Sequence, residues 1–94
     1  MTEQVSIELL EKTHVFPCPY TFKLIGREEQ GFVARAVTEV RLALNADRDP
    51  PYTVRSTADG KHIAVSLEPV VYSAQQVLAV YERVRDLAGL RFLL

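Results

Sequence analysis

At 94 residues, 48% apolar and 24% charged, the chain carries enough hydrophobic material for one folded domain and too little length for a second. Eleven Lys and Arg against twelve Asp and Glu leave a net charge of −1, which excludes an overall field that gathers nucleic acid or anionic membrane. One cysteine excludes an internal disulfide, and no stretch approaches the roughly 18 consecutive apolar residues of a membrane span.

The first segment carries Glu3, Glu8 and Glu11, and its longest apolar run is Leu9-Leu10. It lacks the basic and apolar regions of a signal peptide, so a soluble, cytoplasmic protein is expected. Val5, Ile7, Leu9 and Leu10 hint at one amphipathic turn. Residues 1–15 are therefore read as an N-terminal tail or short helix, and residues 16–94 as the folded domain.

From Tyr20 the pattern alternates, with Tyr20, Phe22 and Leu24 on one side and Thr21, Lys23 and Ile25 on the other, a first strand that Gly26 is expected to stop. Between Glu28 and Leu44 the period lengthens to that of a helix, whose apolar stripe is Val33, Ala36, Val37, Val40 and Leu44. Asn45 to Pro51 is too rich in Asn, Asp and Pro for anything but a loop. Tyr52 and Val54, then Ile63, Val65 and Leu67, alternate on either side of Asp59-Gly60, which predicts a hairpin of strands two and three. Pro69 lacks the amide an inner strand needs and is expected to end or bulge strand three. Ser73 and Gln76 match a capping box that opens a second helix, with Val77, Val80, Tyr81, Val84, Leu87 and Ala88 as its stripe and Gly89 as its stop. Leu90, Phe92 and Leu94 alternate with Arg91 and Leu93 in a short last strand.

The order strand, helix, strand, strand, helix, strand predicts an α+β, ferredoxin-like βαββαβ domain. Its four-stranded antiparallel sheet has order 4-1-3-2 and carries both helices on one face. The covered face is expected to hold Tyr20, Phe22, Leu24, Val54, Ile63, Val65, Leu67 and Phe92. The bare face is expected to hold Thr21, Lys23, Ile25, Thr53, Arg55, His62, Ala64, Ser66, Glu68, Arg91 and Leu93, with no aromatic ring among them.

Phe16-Pro17 followed by Tyr20, Phe22, Lys23 and Gly26, then Gly60-Lys61, Val80-Tyr81-Glu82 and a terminal Arg-Phe-Leu-Leu, resemble the YbeD-like family of small uncharacterised bacterial proteins. The resemblance spans roughly residues 16–94. It implies a ferredoxin-like fold similar to ACT regulatory domains, no established catalytic activity, and a metabolic association with lipoate attachment. ACT domains dimerise through sheet edges and bind amino acids near the glycine after strand one. The resemblance therefore makes Gly26, with the adjacent Arg27, a candidate ligand-binding position.

Reactive chemistry finds little support in the residues. Cys18 and His14 are separated by Pro17 on an extended path, so the thiol is expected to be incidental and no catalytic residue is assigned. Two isolated histidines and one cysteine lack the paired spacing of a metal site, and no metal or cofactor is expected. An acylphosphatase-like hydrolase would place phosphate on the Gly26–Gly31 loop, where Glu28 and Glu29 oppose an anion. An RNA-recognition domain needs rings on its central strands, so nucleic-acid binding through Lys23, Arg55 and Arg91 is the weaker alternative. The expected function is a non-enzymatic regulatory, ligand-binding or protein-interaction module. Its partner is a protein, a second copy at a sheet edge, or a small molecule.

Overall fold

Residues 6–29 and 31–94 are described by a computed structural model. The chain is a mixed α+β structure of three helices and two antiparallel sheets, in the order α1 (Ile7–Thr13), β1 (Cys18–Pro19), β2 (Phe22–Arg27), α2 (Phe32–Ala43), β3 (Tyr52–Ser56), β4 (His62–Leu67), β5 (Val70–Val71), α3 (Ala74–Val84) and β6 (Leu90–Leu93). The larger sheet has order β3-β4-β2-β6, and β1 pairs with β5 in a separate ribbon. Among the described residues no helix is long and apolar enough to cross a membrane.

Local signals account for most of the boundaries. Ser6 caps α1 by accepting from the Leu9 amide at 3.3 Å, and the helix buries Leu10 while packing on α3. Ser73 caps α3 by accepting from the Gln76 amide at 3.2 Å, while Gln76 Oε1 reaches back to the Tyr72 amide at 2.8 Å. The α3 helix ends at Val84, earlier than its apolar stripe predicts, because the Leu87 amide turns to the Val84 carbonyl at 3.0 Å in a tightened last turn. Gly89, at φ +89°, then takes the left-handed conformation that redirects the chain into β6. The α2 helix begins at Phe32 rather than Glu28, because residues 27–29 spend their amides on the sheet and the turn.

Two features of the first predicted strand differ. The alternation from Tyr20 holds in burial, with Tyr20 packed on the core, Thr21 exposed and Phe22 buried, but the strand itself starts at Phe22. Cys18–Pro19 pairs with Val70–Val71 instead, and the Tyr20 amide donates to the Pro69 carbonyl at 3.0 Å. Gly26 does not stop the strand. It pairs with Ile63 inside β2, which continues to Arg27.

Phe22 and Leu24 of β2, Val65 and Leu67 of β4, Phe32, Ala36, Val37 and Val40 of α2, and Ala74, Val77, Val80 and Val84 of α3 form one buried core. At roughly 1.5–3 kcal/mol for each large side chain removed from water, this cluster is the main stabilising term. The α2 helix lies over β2 and β4, leaving Tyr52 and Val54 of the edge strand β3 at 46% and 44% exposure although they oppose buried Leu67 and Val65.

Beyond Leu90 the last strand reverses its predicted faces. Leu93 opposes Leu24 and Phe92 opposes Ile25, but Leu90 opposes Gly26, so Arg91 is an extra residue in a β-bulge. One inserted residue exchanges inward and outward positions beyond it. Leu90 and Leu93 pack on the core, whereas Phe92, expected inside, is 62% exposed, and Leu93, expected outside, is not. The bare face of the sheet therefore carries an aromatic ring, contrary to the expectation that it is ring-free.

Candidate interaction site on the bare sheet face

Gly26 and Arg27, the candidate ligand-binding pair, lie at the end of β2 with opposite orientations. Gly26 is buried on the helix side, where a Cβ would run into the Phe32 ring and lie 2.9 Å from the Gly89 carbonyl oxygen. Arg27 is exposed and shares the bare side with Lys23 and Ile25. The Arg27, Glu28, Glu29 and Phe32 amides donate to the carbonyls of Gly89 (3.0 Å), Lys61 (3.1 Å), Arg27 (2.9 Å) and Glu29 (3.2 Å). These amides close the loop on the protein itself. Glu29 Oε1 also holds the Arg35 guanidinium at 3.4 Å, and that guanidinium donates to the Ala88 carbonyl at 3.3 Å.

Cys18 and His14 serve separate surroundings. Cys18 is half-buried and opposes Val71 in the small ribbon. The His14 ring stacks on Phe16 at 6.0 Å and tilts against Tyr20 at 5.2 Å. Tyr20 in turn contacts Phe22 and Tyr81, at 4.9 and 6.5 Å. Burial, reinforced by the Tyr20 phenol, pushes the Tyr81 hydroxyl well above its usual ionisation range. Among the described residues no three His, Cys, Asp or Glu side chains gather to hold a metal ion.

Strand register assembles a different site. Arg55 opposes Ala64, Ala64 opposes Ile25 and Ile25 opposes Phe92, so one row crosses β3, β4, β2 and β6 on the face that bears no helix. The neighbouring row is Thr53, Ser66 and Lys23, extended by Leu94, whose amide and carbonyl exchange hydrogen bonds with Lys23 at 2.8 and 3.1 Å. On the other side Arg27 opposes His62. Phe92 and Leu94 are 62% and 64% exposed. Lys23, Arg27 and Arg55 form no ion pair with any described residue. The acid at the end of this face, Glu68, accepts from the Thr21 hydroxyl at 3.1 Å.

The hairpin beyond His62 is fixed by Asp59. Its Oδ1 accepts from the Thr57 hydroxyl at 2.6 Å and the Lys61 amide at 2.9 Å, and these bonds hold its carboxyl below the usual carboxylate range. A separate surface cavity of about 370 Å³ lies where residues 45–51 meet Pro69, Val70 and Tyr72. Arg41, one of its cations, is held by Asp49 at 3.2 Å.

The model of the family described as "Protein of unknown function (DUF493)" matches residues 11–94. The chain belongs to the DUF493 family. It is 32% identical over 87 residues to a UPF0250 protein of Yersinia enterocolitica, covering 93% of each chain. A UPF0250 protein of Shewanella sp. strain ANA-3 is 28% identical over 84 residues, 89% of each chain. A UPF0250 protein of Nitrosomonas europaea is 26% identical over 86 residues, covering 92% of this chain and 91% of the relative. These are bacterial proteins of uncharacterised function, in line with the YbeD-like resemblance carried by the sequence.

In this DUF493 chain the residue that sequence reasoning missed is Phe92. A bulge leaves no periodic signature of its own. The available hint is the run Leu90-Arg91-Phe92-Leu93-Leu94, which holds more apolar residues than one face of a short strand can bury.

Proposed function

We propose that this DUF493 protein is a non-enzymatic, cytoplasmic interaction and regulatory module with a ferredoxin-like core similar in shape to ACT domains, and that it pairs with a second copy of itself through the β3 edge. The order β3-β4-β2-β6, with helices on one side, supports the ferredoxin-like reading. The observation that carries the proposal is the edge itself. All of Tyr52–Ser56 is exposed, is bound to β4 on one side, and contains no proline or bulge to deter pairing, its one charge being Arg55. The opposite edge, β6, is broken by its bulge. Antiparallel pairing about a two-fold axis at Val54 sets valine against valine, Thr53 against Arg55 and Tyr52 against Ser56, with no like charges directly opposed. It also covers the half-exposed Tyr52 and Val54.

The Arg27, Glu28, Glu29 and Phe32 amides, engaged with carbonyls, weigh against acylphosphatase-like hydrolysis, which needs free donors aimed at an anion. Light scattering across a concentration series is the test. A dimer that Val54→Lys converts to a folded monomer is expected; a wild-type monomer at every concentration removes the pairing. Turnover of acyl phosphate removes the non-enzymatic reading. Shift mapping with free amino acids and lipoyl compounds separately tests the Gly26 and Arg27 loop.

A further inference from the structure

We infer that the bare face of the sheet, independently of the β3 edge, binds an acidic amphipathic segment of a partner protein, seating apolar side chains on Ile25, Ala64 and Phe92 and carboxylates against Lys23, Arg27 and Arg55. Three observations converge on that chemistry. Register places Ala64, Ile25 and Phe92 side by side across β4, β2 and β6, and Leu94 extends the apolar strip beside Lys23. The face carries Lys23, Arg27 and Arg55 without ion-pair partners among the described residues, against Glu68, which is tied to Thr21. The chain as a whole has a net charge of −1, so this positive face is a local segregation of charge rather than a reflection of composition.

An apolar strip flanked by charged groups is the anatomy of a protein interface, and an exposed aromatic ring within it is the usual energetic anchor. The apolar part of the row, from Ala64 on β4 to Phe92 on β6, crosses two inter-strand gaps, about 10 Å, the length of roughly seven helical residues. A helix with apolar residues at positions one, four or five, and eight spans that row and brings flanking carboxylates over the cations. Single-stranded nucleic acid fits less well. Its bases stack on rings in the central strands, where this face offers Lys23 and Ile25 on β2 and His62, Ala64 and Ser66 on β4, and Phe92 lies on the edge.

The test uses the full-length, isotope-labelled protein with three probes: a Leu/Glu amphipathic helical peptide, the same peptide with Lys for every Glu, and an oligouridine. The acidic peptide is expected to shift amides in Lys23–Arg27, His62–Ser66 and Arg91–Leu94, to weaken with added salt, and to lose at least tenfold in affinity with Phe92→Ser. The triple variant Lys23→Glu, Arg27→Glu, Arg55→Glu, in exposed positions and checked for native shifts, should lose the acidic peptide and gain the Lys peptide. Absence of binding by the acidic peptide, shifts confined to the helix side, or unchanged affinity in Phe92→Ser overturns the inference. So does tighter binding of the oligouridine on the same face.

Discussion

The ring of Phe32 occupies the space that a Cβ on Gly26 would fill. The first residue of α2 thereby closes over the end of β2, and the Gly89 carbonyl, just before β6, closes the space from the other side. Gly26→Ala is expected to destabilise the fold by about 1–3 kcal/mol through overpacking. Phe32→Ala should cost about 3–5 kcal/mol through the cavity it leaves. Because both changes act on one space, the Gly26→Ala, Phe32→Ala double variant should be more stable than the sum of the single losses. Urea unfolding of the four proteins checks this, and strict additivity would show that the two residues do not share the space.

The bulge at Arg91 makes a second prediction by reversing which of two adjacent residues matters to stability. Phe92 contributes a cross-strand contact with Ile25, so Phe92→Ala should cost less than about 1 kcal/mol. Leu93 packs on the core opposite Leu24, and Leu93→Ala should cost about 2 kcal/mol. Period-two patterning requires the opposite ranking. Denaturant midpoints of the two variants decide between the registers.

Sequence was informative where a residue's role depends on neighbours a few positions away. Ser73 and Gln76 marked a helix start, Asp59-Gly60 a hairpin, and the α2 stripe of Ala36, Val37 and Val40 a buried helical face. It was silent where the role depends on a partner strand. Nothing near Cys18 announces that Pro19 will pair with Val70 in a separate ribbon, and nothing near Arg91 announces that Gly26 will face Leu90. The candidate site was legible in part. Lys23, Ile25, Arg55 and Ala64 were placed on the bare face from alternation, but its aromatic anchor was assigned to the interior because a bulge is fixed by tertiary pairing.

Asp59 predicts an acid-sensitive hairpin. Its folded-state pKa lies below the ordinary 3.8, first through the Thr57 hydroxyl and next through the Lys61 amide. A depressed carboxyl contributes stability that is present above the unfolded value and is lost as pH falls through the folded one. The Lys61 amide should therefore lose protection only below the ordinary carboxylate range. In Thr57→Val the same loss should begin at higher pH. Amide shifts of Lys61 through an acid titration report both, and identical midpoints in the two proteins would rule out the hydroxyl as the main cause.

Tyr81 predicts the alkaline limb. Burial raises its phenol above the usual 10.0, and the Tyr20 phenol adds to the effect. A raised tyrosine binds its proton more tightly when folded. Its contribution is thus complete below the unfolded value and is lost as pH rises above 10.0 toward the folded one. A phenol transition is expected above 10.0 in an ultraviolet difference titration. Tyr81→Phe should remove that transition and flatten the alkaline fall in stability, while keeping the ring edge that Phe22 meets at 5.1 Å. A titration above 10.0 that Tyr81→Phe leaves unchanged would show that the aromatic cluster around Tyr20 admits water in solution.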